Sequence, residues 1–431
     1  MKKKLIFCIC ILLSIIMGLS AIPFSAYTYE CSVDVTSAAV LVANLETDTF
    51  VYEKNINTAR YLSYLSNLMT FIIAYNNTPD LDERVAVTED MLNSIPNPDN
   101  TLDIYVNHTL TIRDLLYFII MTDGNDACYL LADTITNGDR DRFVELMNIK
   151  AKELGCTKTR FSSVAGKSDI THFTTCSDMY KIIKCALSIP EYSEIASVST
   201  YMPQGYVNEK LIVTSNNSLL RAKSPYYFRH VKNGKYADDD VARGNIVAVS
   251  KYSDVSYACI ILGAEVKSEH NAFTETKQLL TWAYTTLGNK KIIDESDILA
   301  TVTATSAWGE SVIELTTGKD IEKTMPAQYD KSKIEFVFDD SKTVQLPVFV
   351  GQNMGTAQIL YDGKPFDEID LVSDSSDGIS MVEDLGSFLS SMYKATIIPV
   401  AEEETPAETV AETVAETVAE TVAPTQTKPT E

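Results

Sequence analysis

A chain of 431 residues with 45% apolar and 9% aromatic residues is long enough for more than one domain with a real core. Such a composition excludes disorder throughout and confines it to local segments. The formal net charge of −23 excludes nucleic acid or anionic wall polymers as electrostatically steered partners.

The first 28 residues read as an export signal. Lys2-Lys3-Lys4 precedes an apolar run from Leu5 to about Ile16 and then small residues. Cleavage after Ala21, Ala26 or Thr28 is one reading. An uncleaved anchor is the other, because apolar character persists to Phe24, and it would be the sole membrane contact. Cys8 and Cys10 fall in this segment, leaving Cys31, Cys128, Cys156, Cys176, Cys185 and Cys259. Their irregular spacing suggests small buried apolar residues, with one tertiary pair such as Cys156 with Cys176 left open. His108, His172, His230 and His270 show no metal-ligand spacing, so neither a metal nor a cofactor is expected.

Residues 36–54 alternate apolar and polar around Glu46-Thr47-Asp48, which predicts a β-hairpin. Helical spacing predicts a buried helix over Leu62 to Tyr75. Thr111 is a good N-cap for a helix through Ile120. Further helices are predicted from Asp126 to Asp133, from Arg140 to Leu154 with Gly155 as its end, and from Asp178 to Leu187 with a stop near Pro190. Two apolar runs, Ile246 to Val249 and Ala258 to Leu262, predict adjacent strands, and Ala272 to Leu287 a closing helix. This order fits an α+β domain over 29–288, with helices packed on an antiparallel sheet. From 289 to 396 short β-prone runs at Thr301–Ala304, Ser311–Thr316, Ile334–Phe338 and Val344–Val350 predict a small all-β domain. Residues 397–431 contain A-E-T-V four times between 407 and 422. So polar a unit buries no core and predicts a disordered acidic tail.

Three short segments carry the chemistry. They are Tyr64-Leu65-Ser66-Asn67, Asp123-Gly124-Asn125 and Lys232-Asn233-Gly234. In a serine acyl-transfer site they would read S-x-x-K, S-x-N and K-T-G. Leu68-Met69-Thr70 fixes the frame of the first, Asp126-Ala127 follows the second, and Ser215-Asn216-Asn217 with Leu219-Leu220 precedes the third. With these segments in order and spacing, the chain resembles the D-alanyl-D-alanine carboxypeptidases, the low-molecular-weight penicillin-binding proteins, over roughly residues 36 to 285. A weaker likeness continues past 290, where that family carries a small β-rich domain. The resemblance implies a β-lactamase/transpeptidase-like fold.

It also implies roles. Tyr64 stands at the nucleophile position, Asn67 at the base position and Asp123 at the proton-relaying serine. Asn125 is the retained peptide-orienting residue, with helix capping as its structural alternative. Lys232 would be the lysine of the third segment, a surface residue or a partner of Asp123. Asn233, Gly234 and the backbone N–H of Lys235 would line the carboxylate and oxyanion side. Acyl transfer needs an oxygen nucleophile and a group that takes its proton. A phenol titrates near pKa ~10, and an amide accepts no proton at any relevant pH. Ser63 and Ser66 are near, but neither is followed three residues later by lysine.

The expectation is an exported cell-envelope homologue without catalysis that binds or scaffolds at peptidoglycan, its partners stem peptides or an envelope protein. Two alternatives stand beside it: residual hydrolysis by a non-standard nucleophile, and an adhesive protein acting through the β domain and tail.

Overall fold

The structure, a computed structural model, describes residues 27–374 apart from 97–100, 103, 107, 167–169, 204–211, 267–270, 307–308, 339–343 and 346–347. The apolar N-terminal run, His270 and the acidic tail lie outside the described residues.

The predicted hairpin forms from β1 (Ala39–Asn44) and β2 (Phe50–Lys54). With β3 (Val231–Asp239), β4 (Arg243–Tyr252) and β5 (Val255–Ala264) it makes an antiparallel sheet of order β2-β1-β5-β4-β3. All six residues of β1 are buried. Because side chains alternate between faces, Ala39, Leu41 and Ala43 enter one core while Val40 and Val42 enter a second. This sheet is therefore covered on both sides, and β3 forms one of its edges.

Over the first face pack α1 (Asn67–Asn76), α2 (Ile112–Met121), α3 (Asn125–Thr136), α4 (Arg140–Glu153), α5 (Cys176–Leu187) and α6 (Pro190–Ser197). A single helix, α7 (Ala272–Thr286), covers the other face. Eight of the ten residues of α1 are buried, as expected of a helix apolar on every side. At α2, Thr111 and Asp114 form a reciprocal capping box, so two orphan N–H groups are satisfied by side chains. Pro190 does more than end the preceding helix. It occupies the first turn of α6, where its missing N–H has no intrahelical acceptor to lose. Cys156 and Cys176 are unbonded, and all six described cysteines are free thiols.

Beyond α7 the chain forms β6 (Leu287–Ile293), β7 (Ala300–Ser306), β8 (Gly309–Thr316), β9 (Ile321–Pro326), β10 (Ile334–Phe338), β11 (Val344–Gln345), β12 (Asn353–Tyr361) and β13 (Lys364–Asp374). Six of these make a sheet of order β10-β12-β13-β8-β7-β11, and β6 pairs with β9. Ile313, Leu315, Met325, Ile359 and Leu371 give this all-β unit its own core. Of the expected Val344–Val350 run, the described residues are strand only at Val344–Gln345. Between β12 and β13, Asp362 and Gly363 both take positive φ, 54° and 71°, the conformation a two-residue hairpin turn requires.

The two units are tied near the N-terminus. Tyr27 N–H donates to Pro365 O at 2.7 Å, Tyr29 O–H to Thr324 O at 2.5 Å and Trp282 Nε1–H to Glu30 O at 3.0 Å.

Candidate active site

The first segment enters α1 through a 3-10 turn, Ser63–Ser66. Ser63 sits at φ +48°, which L-residues adopt rarely. Gly166 explains how this backbone is held. A Cβ there would lie 2.2 Å from Tyr64 Cα and 2.3 Å from Ser63 O, so only glycine lets the 161–166 loop rest against the turn. Tyr64 is 3% exposed and belongs to the helical core. Ser63 and Ser66 are fully buried, and neither hydroxyl has a hydrogen-bond partner among the described residues.

Asn67 is fully buried at the head of α1. Its Nδ2 donates to Ile119 O at 3.1 Å and to Asp123 O at 3.2 Å. Its Oδ1 accepts the Cys128 thiol at 3.4 Å, and burial pushes that thiol's pKa far up, keeping it a donor. Both Nδ2 donations and the Oδ1 acceptance of Asn67 thus join α1 to the ends of α2 and α3.

The second segment is the turn between α2 and α3. Gly124 takes φ +24° with the Phe118 carbonyl 3.1 Å from where a Cβ would stand. Asn125 is the buried first residue of α3, and the helix has no side-chain cap. The carboxylate of Asp126 instead accepts from Leu102 N at 2.8 Å and Ile104 N at 3.4 Å, so it anchors the preceding loop. Asp123 projects toward the sheet edge, where its Oδ1 receives Lys235 Nζ at 3.0 Å and Asn216 Nδ2 at 3.2 Å.

The third segment corrects the expectation for Lys232. That side chain is exposed, with Nζ 3.4 Å from Arg229 O, and does not meet Asp123. The lysine that does is Lys235, fully buried, which also donates to Thr122 O. A bulge between Val231 and Asn233 resets the alternation of β3, since one extra residue flips every following side chain to the other face. Gly234, at φ +152°, lets β4 come close, for a Cβ would stand 2.3 Å from Val247 O. Asn233 is buried and its Oδ1 has no hydrogen-bond partner among the described residues.

Tyr236 faces the second core, its ring 4.4 Å from that of Phe273. Burial, and then the nearby Asp123 carboxylate, raise the pKa of Asp238. The structure thus brings together Tyr64, Asn67, Asp123, Asn125 and the backbone of 233–235, and leaves Lys232 outside. Sequence reasoning did not find the Lys235 side chain, Cys128, Gly166 or the contact of Asn216 with Asp123. Only the strand alternation around Gly234 carried a signal for the first. Among the described residues no group of three His, Cys, Asp or Glu side chains is placed to hold a metal.

Residues 26–266 match the family described as D-alanyl-D-alanine carboxypeptidase, and residues 288–378 match the penicillin-binding protein 5 C-terminal domain. The chain is 22% identical to D-alanyl-D-alanine carboxypeptidase DacF of Bacillus subtilis over 331 residues, 76% of this chain and 82% of that one. It is 27% identical to DacC of Escherichia coli over 267 residues, 61% of this chain and 63% of that one. Penicillin-binding protein 5 of Haemophilus influenzae superposes with a TM-score of 0.66 at 21% identity, over 80% of this chain and 98% of that structure. The Streptomyces K15 DD-transpeptidase superposes at 0.54 and 19% identity, over 59% and 100%.

Proposed function

This chain belongs to the D-alanyl-D-alanine carboxypeptidase family, and from that premise we propose that it is an exported member without acyl-transfer chemistry, kept to bind or scaffold at peptidoglycan. The observation that carries this reading is Asn67. Standing where the family has its proton acceptor, it is a buried amide whose Nδ2 is committed to Ile119 O and Asp123 O. Beside it the nucleophile position holds a buried phenol. Neither group can open an acyl bond by the serine route.

The third motif supports the same reading. We take it as Lys235-Tyr236-Ala237, because Lys235 is the cation beside the second segment. The hydroxyl residue then becomes Tyr236, turned into the opposite core, and the residue after the motif becomes Asp238. A carboxylate at that backbone donor opposes a developing oxyanion. What remains for a stem peptide is backbone and amide hydrogen bonding, with Asn125 at its edge. Export rests on Lys2-Lys3-Lys4 and the apolar run after it.

The test is fluorescent penicillin labelling of the purified chain, with an active family member as control and circular dichroism to confirm folding. Absence of a covalent band supports the reading. A band that disappears in Tyr64→Phe overturns it.

A further inference from the structure

The strongest charge feature outside the cleft is a run of cations on an acidic protein. From Ile212 to Ala237 the sequence holds Arg221, Lys223, Arg229, Lys232 and Lys235 and no acidic residue, while the chain as a whole carries −23. Lys235 is neutralised by Asp123. None of the other four is in an ion pair with a described residue; Arg221 Nη2 reaches Ser218 Oγ, Arg229 Nε reaches His230 Nε2 at 3.1 Å, and Lys232 reaches Arg229 O. Arg221 Nε is buried without a hydrogen-bond partner among the described residues. Burial, then Arg229 and Lys232, hold His230 below its ordinary pKa.

Two of these cations, Arg221 and Lys223, border a groove. A pocket lined by Ser218, Arg221, Lys223, Ser224, Pro225 and Tyr226 shares its last two residues with a larger cleft of about 750 Å³. The larger cleft follows α7 past Lys277 and Trp282 to Thr286, with Asp34 on its far wall. The two pockets together offer the cations Arg221, Lys223 and Lys277 and the aromatic rings of Tyr226 and Trp282.

The geometry points to the chain's own acidic tail as the occupant: residues 407–422 dock in extended form along the Arg221–Tyr226–Trp282 groove. Three features support this segment over a diffusing polyanion. First, an extended A-E-T-V repeat places Glu408, Val410, Glu412, Val414 and their successors on one face, since residues two apart share a face. That face alternates carboxylate and apolar group, and the groove offers both cations and aromatic rings to receive them. Second, residues 401–431 carry eight Glu and one Lys, so the segment is acidic where the groove is basic. Third, covalent attachment supplies an effective concentration in the millimolar range, whereas a free polyanion is repelled by the rest of the protein. The 26 residues between Asp374 and Ala401 span about 90 Å at full extension and about 30 Å as a flexible chain.

Carbodiimide coupling of the full chain, with peptide mapping, tests the contact, because it joins only carboxylates and amines that touch. An equal mixture of isotope-labelled and unlabelled protein separates links within one molecule from links between two. The expected result is intramolecular linkage of Glu408, Glu412, Glu416 and Glu420 to Lys223 and Lys277, which line the groove. The yield should exceed that to the exposed Lys331 and Lys364 by about fivefold and fall to their level in about 0.5 M salt, where charge interactions are screened. Even yields over all lysines, insensitivity to salt, or links only between molecules would each overturn the proposal. A second measurement leaves the folded body untouched. Full-length protein with Glu408, Glu412, Glu416 and Glu420 all changed to Gln should bind a labelled peptide of four A-E-T-V repeats about tenfold more tightly than the unaltered chain, whose tail competes. Equal affinities of the two proteins, or no binding by either, would also overturn it.

Discussion

Lys235 Nζ lies 3.0 Å from Asp123 Oδ1, with the lysine fully buried and the aspartate 14% exposed. The pair joins the edge strand of the sheet to the turn between two helices. Removing one partner of a buried pair leaves an uncompensated charge, a loss of about 3 kcal/mol or more. Lys235→Met should therefore destabilise the protein by about that amount, and Lys235→Met with Asp123→Asn by clearly less than the two single changes added together. Urea unfolding of the four proteins measures the coupling. Strict additivity would show that the pair contributes nothing as a pair.

Gly166 is predicted to be intolerant of any side chain. The atoms that a Cβ would strike belong to the backbone of Ser63 and Tyr64 and cannot swing aside. Gly166→Ala should lower stability by about 3 kcal/mol, at the upper end of what overpacking does. Thermal unfolding reads this directly, with Gly138→Ala as a partial control: its Cβ would meet nothing within 4 Å, although its φ of +86° adds some backbone strain.

Restoring the nucleophile alone should restore no chemistry. Tyr64→Ser supplies a hydroxyl, but Asn67 still has no lone pair of useful basicity, and Lys235 is held by Asp123. The expected outcome is no penicillin adduct, together with a loss of roughly 3–5 kcal/mol from emptying a site that an aromatic ring fills. A covalent band from this single variant would mean that some other group accepts the proton.

Asp238 gives a pH-dependent prediction. Its folded pKa is raised above the ordinary 3.8 by burial and by Asp123. The folded state therefore binds this proton more tightly than the unfolded state. The associated stability is present below pH 3.8 and is lost as pH rises through the higher folded value. Asp238→Asn should raise the Tm modestly at pH 7 and leave it nearly unchanged at about pH 3. A gain of equal size at both pH values would show that charge is not the cause.

Much of the first domain was legible because its signals are local. The hairpin at 39–54, the Thr111 cap and the Gly155 helix end each depend on a few adjacent residues, and each appears where expected. The first two segments of the site lay in helix-start contexts and were placed by their neighbours. The third was displaced because Lys-Asn-Gly imitates the motif string, while the bulge after Val231 decides which lysine turns inward. A bulge is set by the partner strand, which a linear reading does not contain. Pro190 carried two signals of which one was read: the helix before it ends at Leu187 as expected, and the same residue opens the next. The β12–β13 hairpin did have a local signal, Asp362-Gly363 between alternating residues, and it was passed over.

The strap at Tyr27–Glu30 has a consequence for the order of assembly. These residues are the first described, yet their acceptors and ring partners include Thr324, Tyr361, Pro365 and Phe366, close to three hundred positions downstream or more. The downstream partners of Tyr27 do not exist until nearly all of the second unit has been synthesised, whereas Trp282, which holds Glu30, precedes that unit. Contacts so distant along the chain form late, because loop closure must precede them. The segment at Tyr27 and Tyr29 is therefore expected to be among the last described parts to settle. During that interval Tyr27 and Tyr29 remain accessible to whatever machinery handles the nascent protein.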